Sequence, residues 1–172
     1  MIDHWPVGET YALDLLDEFV RKRLNHYKQA RDFPAQVSTS QISAYLNIGI
    51  LSIRQCIQAL FRQQHGDFVI QSESQQVWLD ELLWREFYQH ILFDFPQVSR
   101  HLPFKSSTQN IPWRDDPIAL EQWQQGNTGI PIVDAGMCQL LATGWMHNRV
   151  RMICAMFLSK NLLIDWRKGE QW

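Results

Sequence analysis

Three features of the 172-residue sequence predict an all-α fold. Apolar residues recur at spacings of three and four along several segments, as they do in amphipathic helices. The alternation of apolar and polar residues that is typical of a half-buried strand does not stand out anywhere. Proline and glycine fall where these segments would begin or end. The chain is long enough to bury about two thirds of its unfolded surface, in one domain or a little more.

The first helix is predicted to have Thr10 as its N-cap and to run to about Arg31, ahead of Pro34. Residues 1–9 are then a lead-in, and residues 10–172 form one helical domain. A second helix is predicted to begin near Ser40 and to close at Gly49. The apolar stripe of the first helix consists of Leu13, Leu16, Val20, Leu24 and Tyr27.

Ser52 is predicted to cap a helix that carries Cys56 and Leu60 on its apolar face. Residues 66–76 resemble a loop, and a long helix from about Ser74 to Phe93 overlaps its end and stops before Pro96. Residues 97–117 contain three prolines and no clear period, which indicates an irregular, ordered connection.

The last third of the chain is predicted to contain three helices. A short helix holds Leu120 and Trp123. Pro131 suits a first helical turn and Gly144 a helix end, so they frame a helix of about 131–142. The final helix spans about 146–162.

Composition restricts the class of protein. The net charge of −2 gives no global argument for a polyanionic partner, so any nucleic-acid site must be local. The three cysteines Cys56, Cys138 and Cys154 lack CxxC spacing, which favours reduced, buried thiols and a cytoplasmic protein. No apolar run reaches the length of a membrane span, and the first residues do not resemble a signal peptide. Eight tryptophans are unusually many.

The long helix carries a mixed stripe within about one third of its circumference. The stripe consists of Glu81, Trp84, Arg85 and Tyr88, whereas Leu79, Leu83 and Phe87 lie on another side. One interpretation is a solvated face with a Glu81–Arg85 ion pair, which would contribute about 0.3–0.5 kcal/mol. The other is a stacking surface, because two aromatic residues are mixed into the stripe.

The last helix places Asn148, Arg151 and Met152 on one face and Val150 and Ile153 on the other. A buried, unpaired guanidinium would cost several kcal/mol, so Arg151 is expected to have a partner. That partner could be a structural carboxylate, Asp134 or Asp165, or it could be a ligand.

The segment STSQIS, residues 38–43, offers three hydroxyls at a predicted helix start. Such a start can bind an anion through its hydroxyls and backbone N–H groups. Ser and Thr there can also be plain helix caps. Both interpretations remain open at this point.

Several long stretches together resemble the helical FAD-binding domain of the DNA photolyase/cryptochrome family, most closely the bacterial class I cyclobutane pyrimidine dimer photolyases. They occur in family order and cover nearly all of the chain from about Tyr27 onward. The stretches are YKQARDFPA, TSQISAYLNIGILSIRQC, VWLDELLWREFYQHI, GNTGIPIVDAGMCQLLATGWMHNRVRM and FLSKNLLIDWRKGE.

The resemblance implies a role for each of the following residues in binding FAD. Trp78 matches a tryptophan that packs beside the cofactor, and Arg151 matches an arginine beside the isoalloxazine ring. Gln41 stands where relatives often have a basic residue. The residues that match the family segment around the FAD phosphates are Tyr27, Thr39, Ser40, Gln41, Ile42 and Ser43.

The resemblance also implies a lesion site and an electron path. Glu81 matches the carboxylate that hydrogen-bonds the flipped pyrimidine dimer, and Trp84 matches the aromatic wall on which the dimer stacks. Trp113 and Trp166 match two members of a tryptophan chain that passes an electron to the flavin. Asn148 and Met152 match other residues of the lesion pocket, and Arg31, Arg85 and Arg149 match positions near the DNA.

The implied activity is light-driven splitting of pyrimidine dimers in UV-damaged DNA by electron transfer from reduced FAD, by a monomer without a metal. Two family parts are not found in the sequence: the α/β antenna domain with its chromophore, and the segment that follows KGEQW. We therefore expect a fragment of the helical domain, truncated at its C-terminal side, that is inactive if it binds no FAD. The alternative is a helical remnant or a cryptochrome-type blue-light flavoprotein without repair activity.

Overall fold

Helices make up the regular structure of the residues that the computed structural model describes, 5–62 and 67–172. No strand occurs within these two ranges, which agrees with the predicted all-α class. The helices are α1 (Glu9–Lys22), α2 (Tyr27–Ala30), α3 (Ser43–Asn47), α4 (Ile53–Arg62), α5 (Glu73–Asp94), α6 (Pro117–Gln125), α7 (Pro131–Thr143), α8 (Asn148–Met156) and α9 (Trp166–Gln171).

The chain forms two compact units, one that ends at Ile91 and one that begins at Leu92. We call them the N-terminal and C-terminal units. The division into a lead-in, residues 1–9, and one domain, residues 10–172, stays a prediction. Residues 1–4 of that lead-in and Gly66 of the predicted loop lie outside the described residues.

The N-terminal unit has a core built around Phe19 of α1. The ring of Trp78 in α5 lies 5.3 Å from the Phe19 ring, and the Tyr27 ring meets the Phe19 ring edge-on at 5.6 Å. Burial of such an aromatic side chain stabilises a fold by about 2–3 kcal/mol. The residues of α1 in this core are Ala12, Leu16, Phe19 and Val20.

The predicted first helix is wrong at both ends. Gly8, not Thr10, is the N-cap of α1, and α1 ends at Lys22, well before Arg31. A 3-10 turn and the short α2 follow. The break is stable because buried Ser74 of α5 satisfies backbone groups that a continuous helix would pair: its hydroxyl donates to the Asn25 carbonyl at 3.1 Å and accepts from the Lys28 N–H at 3.2 Å.

The starts of α4 and α5 follow the prediction closely. The Gln55 N–H donates to the Ser52 hydroxyl at 3.2 Å, and the Gln55 side-chain oxygen accepts from the Ser52 N–H at 2.8 Å, which is a capping box. The buried face of α5 differs from the prediction. It consists of Ser74, Gln75, Trp78 and Leu82, while Leu83 and Phe87 are about half exposed.

The C-terminal unit begins with the irregular connection that the prolines predict, interrupted by two short 3-10 turns. Asp116 caps α6 by accepting from the Ala119 N–H at 2.9 Å. Pro131 and Gly144 frame α7 as predicted, and Gly144 has a φ of 72°. The core of this unit consists of Trp123, Val133, Met137, Met146, Val150, Cys154, Leu158 and Ile164.

The predicted final helix, about 146–162, corresponds to α8 and the π-helical turn that follows it directly, together residues 148–161. His147 caps α8 by accepting from the Arg149 N–H at 3.2 Å, and α8 ends at Met156 in a π-helical turn, Phe157–Asn161. The sequence pattern did not predict α9. Asp165 starts α9 by accepting from the Arg167 N–H at 3.0 Å.

Candidate functional site

A cavity of about 330 Å³ lies in the N-terminal unit between α2, α3 and α5. It brings together most of the predicted cofactor residues of that unit with two of the predicted DNA and lesion residues. Its lining consists of Tyr27, Ser40, Ile42, Ser43, Leu46, Asn47, Trp78, Glu81, Leu82 and Arg85.

One side of this cavity is apolar and rigid. Trp78 is 2% exposed and packs on Phe19, so its indole is fixed by the core. Ile42 and Leu82 are also buried. The lining also includes the hydroxyl-bearing residues Ser40 and Ser43. An apolar wall with a few convergent polar groups is the usual composition of a small-molecule site.

The loop before α3 is held by Ser38 rather than by helix caps. Ser38 is buried, and its hydroxyl donates to the Ala30 carbonyl at 2.9 Å. The N-cap of α3 is Ile42, and no side chain bonds there, so the interpretation of this segment as plain caps is wrong. The five residues of α3 give little dipole either. The hydroxyls of Ser40 and Ser43 therefore remain available to a ligand in the cavity.

Gln41 and Thr39 lie in the same loop but do not line the cavity. Both are half-buried. Gln41 has a φ of 56°, a left-handed conformation that is uncommon for residues other than glycine. This turn directs the neighbouring Ser40 and Ile42 into the cavity lining, which Gln41 itself does not join.

Glu81 forms its ion pair with Arg31, at 2.7 Å between Oε1 and Nη2. Arg31 follows the last residue of α2, and its guanidinium also lies over the Tyr27 ring, 5.3 Å from the centroid. The Arg31 side chain is 17% exposed. The pairing of Glu81 with Arg85 that the helical spacing suggested is replaced by this contact between α2 and α5.

Arg85 is held at the rim of the cavity by two other contacts. Its Nη1 lies 3.2 Å from Glu86 Oε1, and its Nη2 donates to the Leu46 carbonyl at 3.2 Å. The cavity therefore combines a carboxylate and a guanidinium whose positions are both fixed by neighbouring groups.

Beside the cavity, α5 carries an exposed aromatic cluster, Trp84, Phe87 and Tyr88. The Trp84 ring lies 5.5 Å from that of Phe87 and 6.1 Å from that of Tyr88. Trp84 is 52% exposed and lines an open concavity of about 490 Å³ with Asp80, Leu83 and Phe87. Large exposed rings in mutual contact favour the stacking interpretation of this stripe.

The C-terminal unit places Asn148, Arg151 and Met152 on the exposed face of α8, with Arg149 half-buried. The expectation that Arg151 is buried is wrong, because α8 turns Val150 and Cys154 into the core and residue 151 lies off that stripe. Its guanidinium forms no ion pair or hydrogen bond within residues 5–62 and 67–172.

The two carboxylates proposed as partners of Arg151 are engaged elsewhere. Asp134 accepts from the Thr128 hydroxyl at 2.6 Å and from the Gly129 N–H at 2.9 Å, and the Thr128 hydroxyl lowers the pKa of Asp134. Asp165 pairs with Arg167 at 2.6 Å. Neither carboxylate is therefore the partner of Arg151, and because its side chain is exposed its guanidinium needs no protein partner.

Trp113 and Trp166 are half-buried in the C-terminal unit, on segments that contact each other. The Arg114 N–H donates to the Leu163 carbonyl at 2.8 Å, and Lys168 pairs with Asp115 at 2.7 Å. The Trp113 indole N–H is buried and has no hydrogen-bond partner in the described part of the chain. The structure thus holds the two tryptophans on neighbouring stretches of chain.

Three cavity residues were not predicted: Leu46, Asn47 and Leu82. Asn47 had a usable signal, because it follows Ser43 by four residues on the same helical face. Leu82 follows Trp78 by four residues on α5 in the same way. Leu46 had the same signal, because it follows Ile42 by four residues and its N–H donates to the Ile42 carbonyl at 3.0 Å.

The described residues contain no group of three or more His, Cys, Asp or Glu side chains placed to hold a metal ion. None of the helices within 5–62 and 67–172 is long and apolar enough to cross a membrane.

Comparisons with known proteins place these features in a family. The family described as the FAD binding domain of DNA photolyase matches residues 78–172. The deoxyribodipyrimidine photo-lyase of Escherichia coli (strain K12) is 48% identical over 169 residues, which cover 98% of this chain and 35% of that protein. The chain thus spans about a third of the length of this curated relative.

Solved structures agree. The crystal structure of a bacterial class III photolyase from Agrobacterium tumefaciens superposes with a TM-score of 0.92 at 46% identity, covering 99% of this chain and 34% of that chain. A cryptochrome from Synechocystis sp. PCC6803 superposes with a TM-score of 0.86 at 35% identity, covering 96% and 34%.

Proposed function

Since the chain belongs to the family of FAD-binding domains of DNA photolyases, we propose that it supplies the cofactor and lesion site of an enzyme that splits cyclobutane pyrimidine dimers with light. The observation that supports this most is the cavity in the N-terminal unit. Residues assigned to FAD, such as Ser40 and Trp78, meet there with Glu81 and Arg85, which are assigned to the lesion and the DNA.

The residues around the cavity fit part of FAD. At about 330 Å³ it is near the lower end of small-molecule sites, so it would hold one portion of the cofactor. The hydroxyls of Ser40 and Ser43 suit phosphate oxygens, and the Arg85 guanidinium adds positive charge near them. Trp78 and Leu82 suit the apolar parts. Thr39, Gln41 and Ile42 would shape the loop, with Tyr27 closing the end beside α2.

When bound and reduced, FAD would supply the light-excited electron. The chain itself would hold the substrate. Trp84 stacks on the dimer after it has left the helix, which costs less for a damaged, poorly stacked pair. Glu81 hydrogen-bonds the dimer and holds it in position for the reaction. Arg31, Arg85 and Arg149 bind phosphates of the DNA, and their charge makes binding depend on salt.

The residues of the C-terminal unit complete the proposal. The resemblance assigns Asn148 and Met152 to contacts with the lesion and exposed Arg151 to a place beside the flavin ring. Trp113 and Trp166 would relay an electron when FAD is bound, since indole can be oxidised transiently. Assignment to class I, a monomeric state, a cytoplasmic location and the absence of an antenna chromophore stay predictions.

A cryptochrome-type flavoprotein without repair activity is the second candidate, supported by the likeness to the Synechocystis cryptochrome. The two candidates differ in one measurable property. The purified chain is mixed with FAD, a reductant and a short duplex that carries a single thymine dimer, and is then illuminated. Light-dependent loss of the dimer, followed by chromatography, supports the photolyase. Bound FAD without loss of the dimer supports the cryptochrome, and no FAD binding supports a non-catalytic remnant.

Trp84→Ala tests the lesion wall directly. We expect its affinity for the dimer duplex to fall by about 5- to 160-fold, because base–aromatic stacking contributes roughly 1–3 kcal/mol per base. FAD affinity, measured by flavin fluorescence, should not change. Phe33→Ala is the matched control, since Phe33 is 55% exposed in the same unit but lines neither cavity. Equal losses in the two variants would remove Trp84 from the site.

A further inference from the structure

Two ion pairs join the region of α2 to α5. Lys28 pairs with Glu73 near the start of α5, and Arg31 pairs with Glu81 two turns later. The two differ in surroundings. Lys28 and Glu73 are 42% and 69% exposed, whereas Arg31 is 17% exposed and also lies over the Tyr27 ring. Arg31 is therefore held in one position by its contacts with Glu81 and Tyr27, two residues that line the cavity.

This arrangement conflicts with the separate tasks of the two residues. Under the proposed function Arg31 binds a DNA phosphate and Glu81 binds the extruded dimer. In the structure each of them satisfies the other, at 2.7 Å. A guanidinium in a close pair with a carboxylate has lost most of its attraction for a phosphate, because the net charge of the pair is zero. Arg31 can bind DNA fully only after Glu81 has acquired another partner.

The extruded base offers that partner. A thymine ring out of the helix exposes its imide N–H, a donor that the Glu81 carboxylate can accept. Undamaged duplex keeps its bases stacked and presents only phosphates to the protein. Release of Arg31 requires this hydrogen bond to replace the contact between Glu81 Oε1 and Arg31, so that entry of a base frees the guanidinium.

We propose that the Arg31–Glu81 pair determines the preference for damaged over undamaged DNA by withholding Arg31 from phosphates until a dimer occupies the cavity. This inference rests on the proposed function. The charged groups around the pair are few: Asp32 Oδ1 lies 3.7 Å from Arg31 Nε, and Arg85, paired with Glu86, lines the same cavity. Glu81 is the carboxylate of this group that both touches Arg31 and lines the cavity.

Glu81→Gln tests the pair, because the amide keeps the shape and a hydrogen-bond acceptor but loses the charge. We expect affinity for an undamaged duplex to rise about fivefold, and the slope of log affinity against log salt to steepen by about 0.9, the contribution of one neutralised phosphate. Affinity for the same duplex with a single thymine dimer should not rise, because Arg31 is already released there and the amide is a weaker acceptor for the imide N–H. The preference for the dimer then falls at least about fivefold.

Two controls separate this effect from a simple gain of positive charge. Glu73→Gln removes the same charge and also breaks an ion pair between the α2 region and α5, but away from the cavity, so its affinity for undamaged duplex should change less than about twofold. The double variant Arg31→Gln, Glu81→Gln should return to wild-type affinity for undamaged duplex. Circular dichroism confirms that each variant is folded.

The outcomes distinguish this inference from the proposed function. If wild type prefers the dimer and Glu81→Gln binds undamaged duplex no better than Glu73→Gln does, the inference is wrong and the proposed function stands. A gain that persists in the double variant also overturns the inference, because Arg31 is then not its source. If wild type shows no preference for the dimer, the proposed function fails and the specificity role fails with it.

Discussion

At the scale of the residue, three residues other than glycine within 5–62 and 67–172 have a left-handed backbone, which their Cβ atoms disfavour. Gln41, His101 and Leu163 have φ values of 56°, 61° and 56°. Gln41 shapes the loop at the cavity, so its strain belongs to a proposed binding site. Leu163 is different. It follows the π-helical turn, where its carbonyl accepts from the Arg114 N–H at 2.8 Å, while its side chain is 54% exposed.

Leu163→Gly is therefore expected to stabilise the protein. The left-handed conformation costs a residue with a Cβ about 1–2 kcal/mol, and glycine loses about 0.5–1 kcal/mol of that gain to its greater freedom in the unfolded chain. We expect the free energy of unfolding to rise by about 0.5–1 kcal/mol in urea denaturation. Leu162→Gly, at a φ of −81°, is the control and should destabilise. A lower stability for Leu163→Gly would show that its side chain contributes more than its exposure indicates.

Cys56 makes stability depend on alkaline pH. Burial of its side chain raises the pKa of the thiol from its ordinary value of 9.0 to about 11, an effect that Arg85 partly opposes. Above the ordinary value the unfolded thiol ionises while the folded thiol stays neutral, so stability is full below pH 9.0 and falls as pH rises towards 11. We expect Cys56→Ala to remove part of this fall when urea midpoints are compared across the range. If the urea midpoints of wild type and Cys56→Ala fall equally with pH, the fall does not come from Cys56.

The resemblance predicted most of the cavity residues, because each of them lies in a stretch with a long, specific pattern. Ser40, Trp78 and Glu81 did not need a three-dimensional argument. The Arg31–Glu81 contact could not be found that way, since no spacing rule relates residues so far apart in the chain. Arg151 shows the opposite error. A pattern of apolar residues on both sides made it look buried, but one helical face decides burial, and Arg151 is on the other.

At the scale of the element, helix boundaries that have a local sequence signal were predictable, and boundaries without one were not. Ser52 with Gln55 gave a local signal for α4, and Pro131 gave one for α7. The end of α1 had no local signal, because the groups freed at the break are satisfied by Ser74 from a distant helix. Propensity within one segment cannot reveal a partner that only the fold supplies.

The crossing of α7 and α8 depends on the absence of a side chain at Gly136. A Cβ there would lie 2.3 Å from Val150 Cγ1 and 3.0 Å from Cys154 Sγ. We expect Gly136→Ala to lower the free energy of unfolding by about 1–2 kcal/mol, since overpacking costs more than the roughly 1 kcal/mol that alanine gains in helix propensity. Urea denaturation measures the loss.

Val150→Ala provides the test of this cause. Combined with Gly136→Ala it removes the clashing methyl groups, so the double variant should be more stable than the sum of the two single effects predicts. If the two changes in the free energy of unfolding are strictly additive, the clash with Val150 is not the cause of the loss in Gly136→Ala.

At the scale of the whole molecule, the all-α class and the family were predictable, while the division into two units was not. Fold class depends on periodicity, which the sequence displays directly. The boundary at Ile91 and Leu92 falls inside α5, in a run of helix that contains no linker composition. Each unit has its own core, and which apolar residues join which core depends on packing rather than on spacing.

Each of the two cores also contains a buried tryptophan, whose fluorescence reports on that core. Trp78 is 2% exposed in the first core and Trp123 is 5% exposed in the second, where its N–H donates to the Cys154 carbonyl at 3.0 Å. Indole emission shifts to longer wavelength when water reaches the ring. A melting curve recorded from all eight tryptophans therefore mixes the signals of both cores. Subtracting the curve of Trp78→Phe from that of wild type isolates the signal of the first core, and Trp123→Phe does the same for the second.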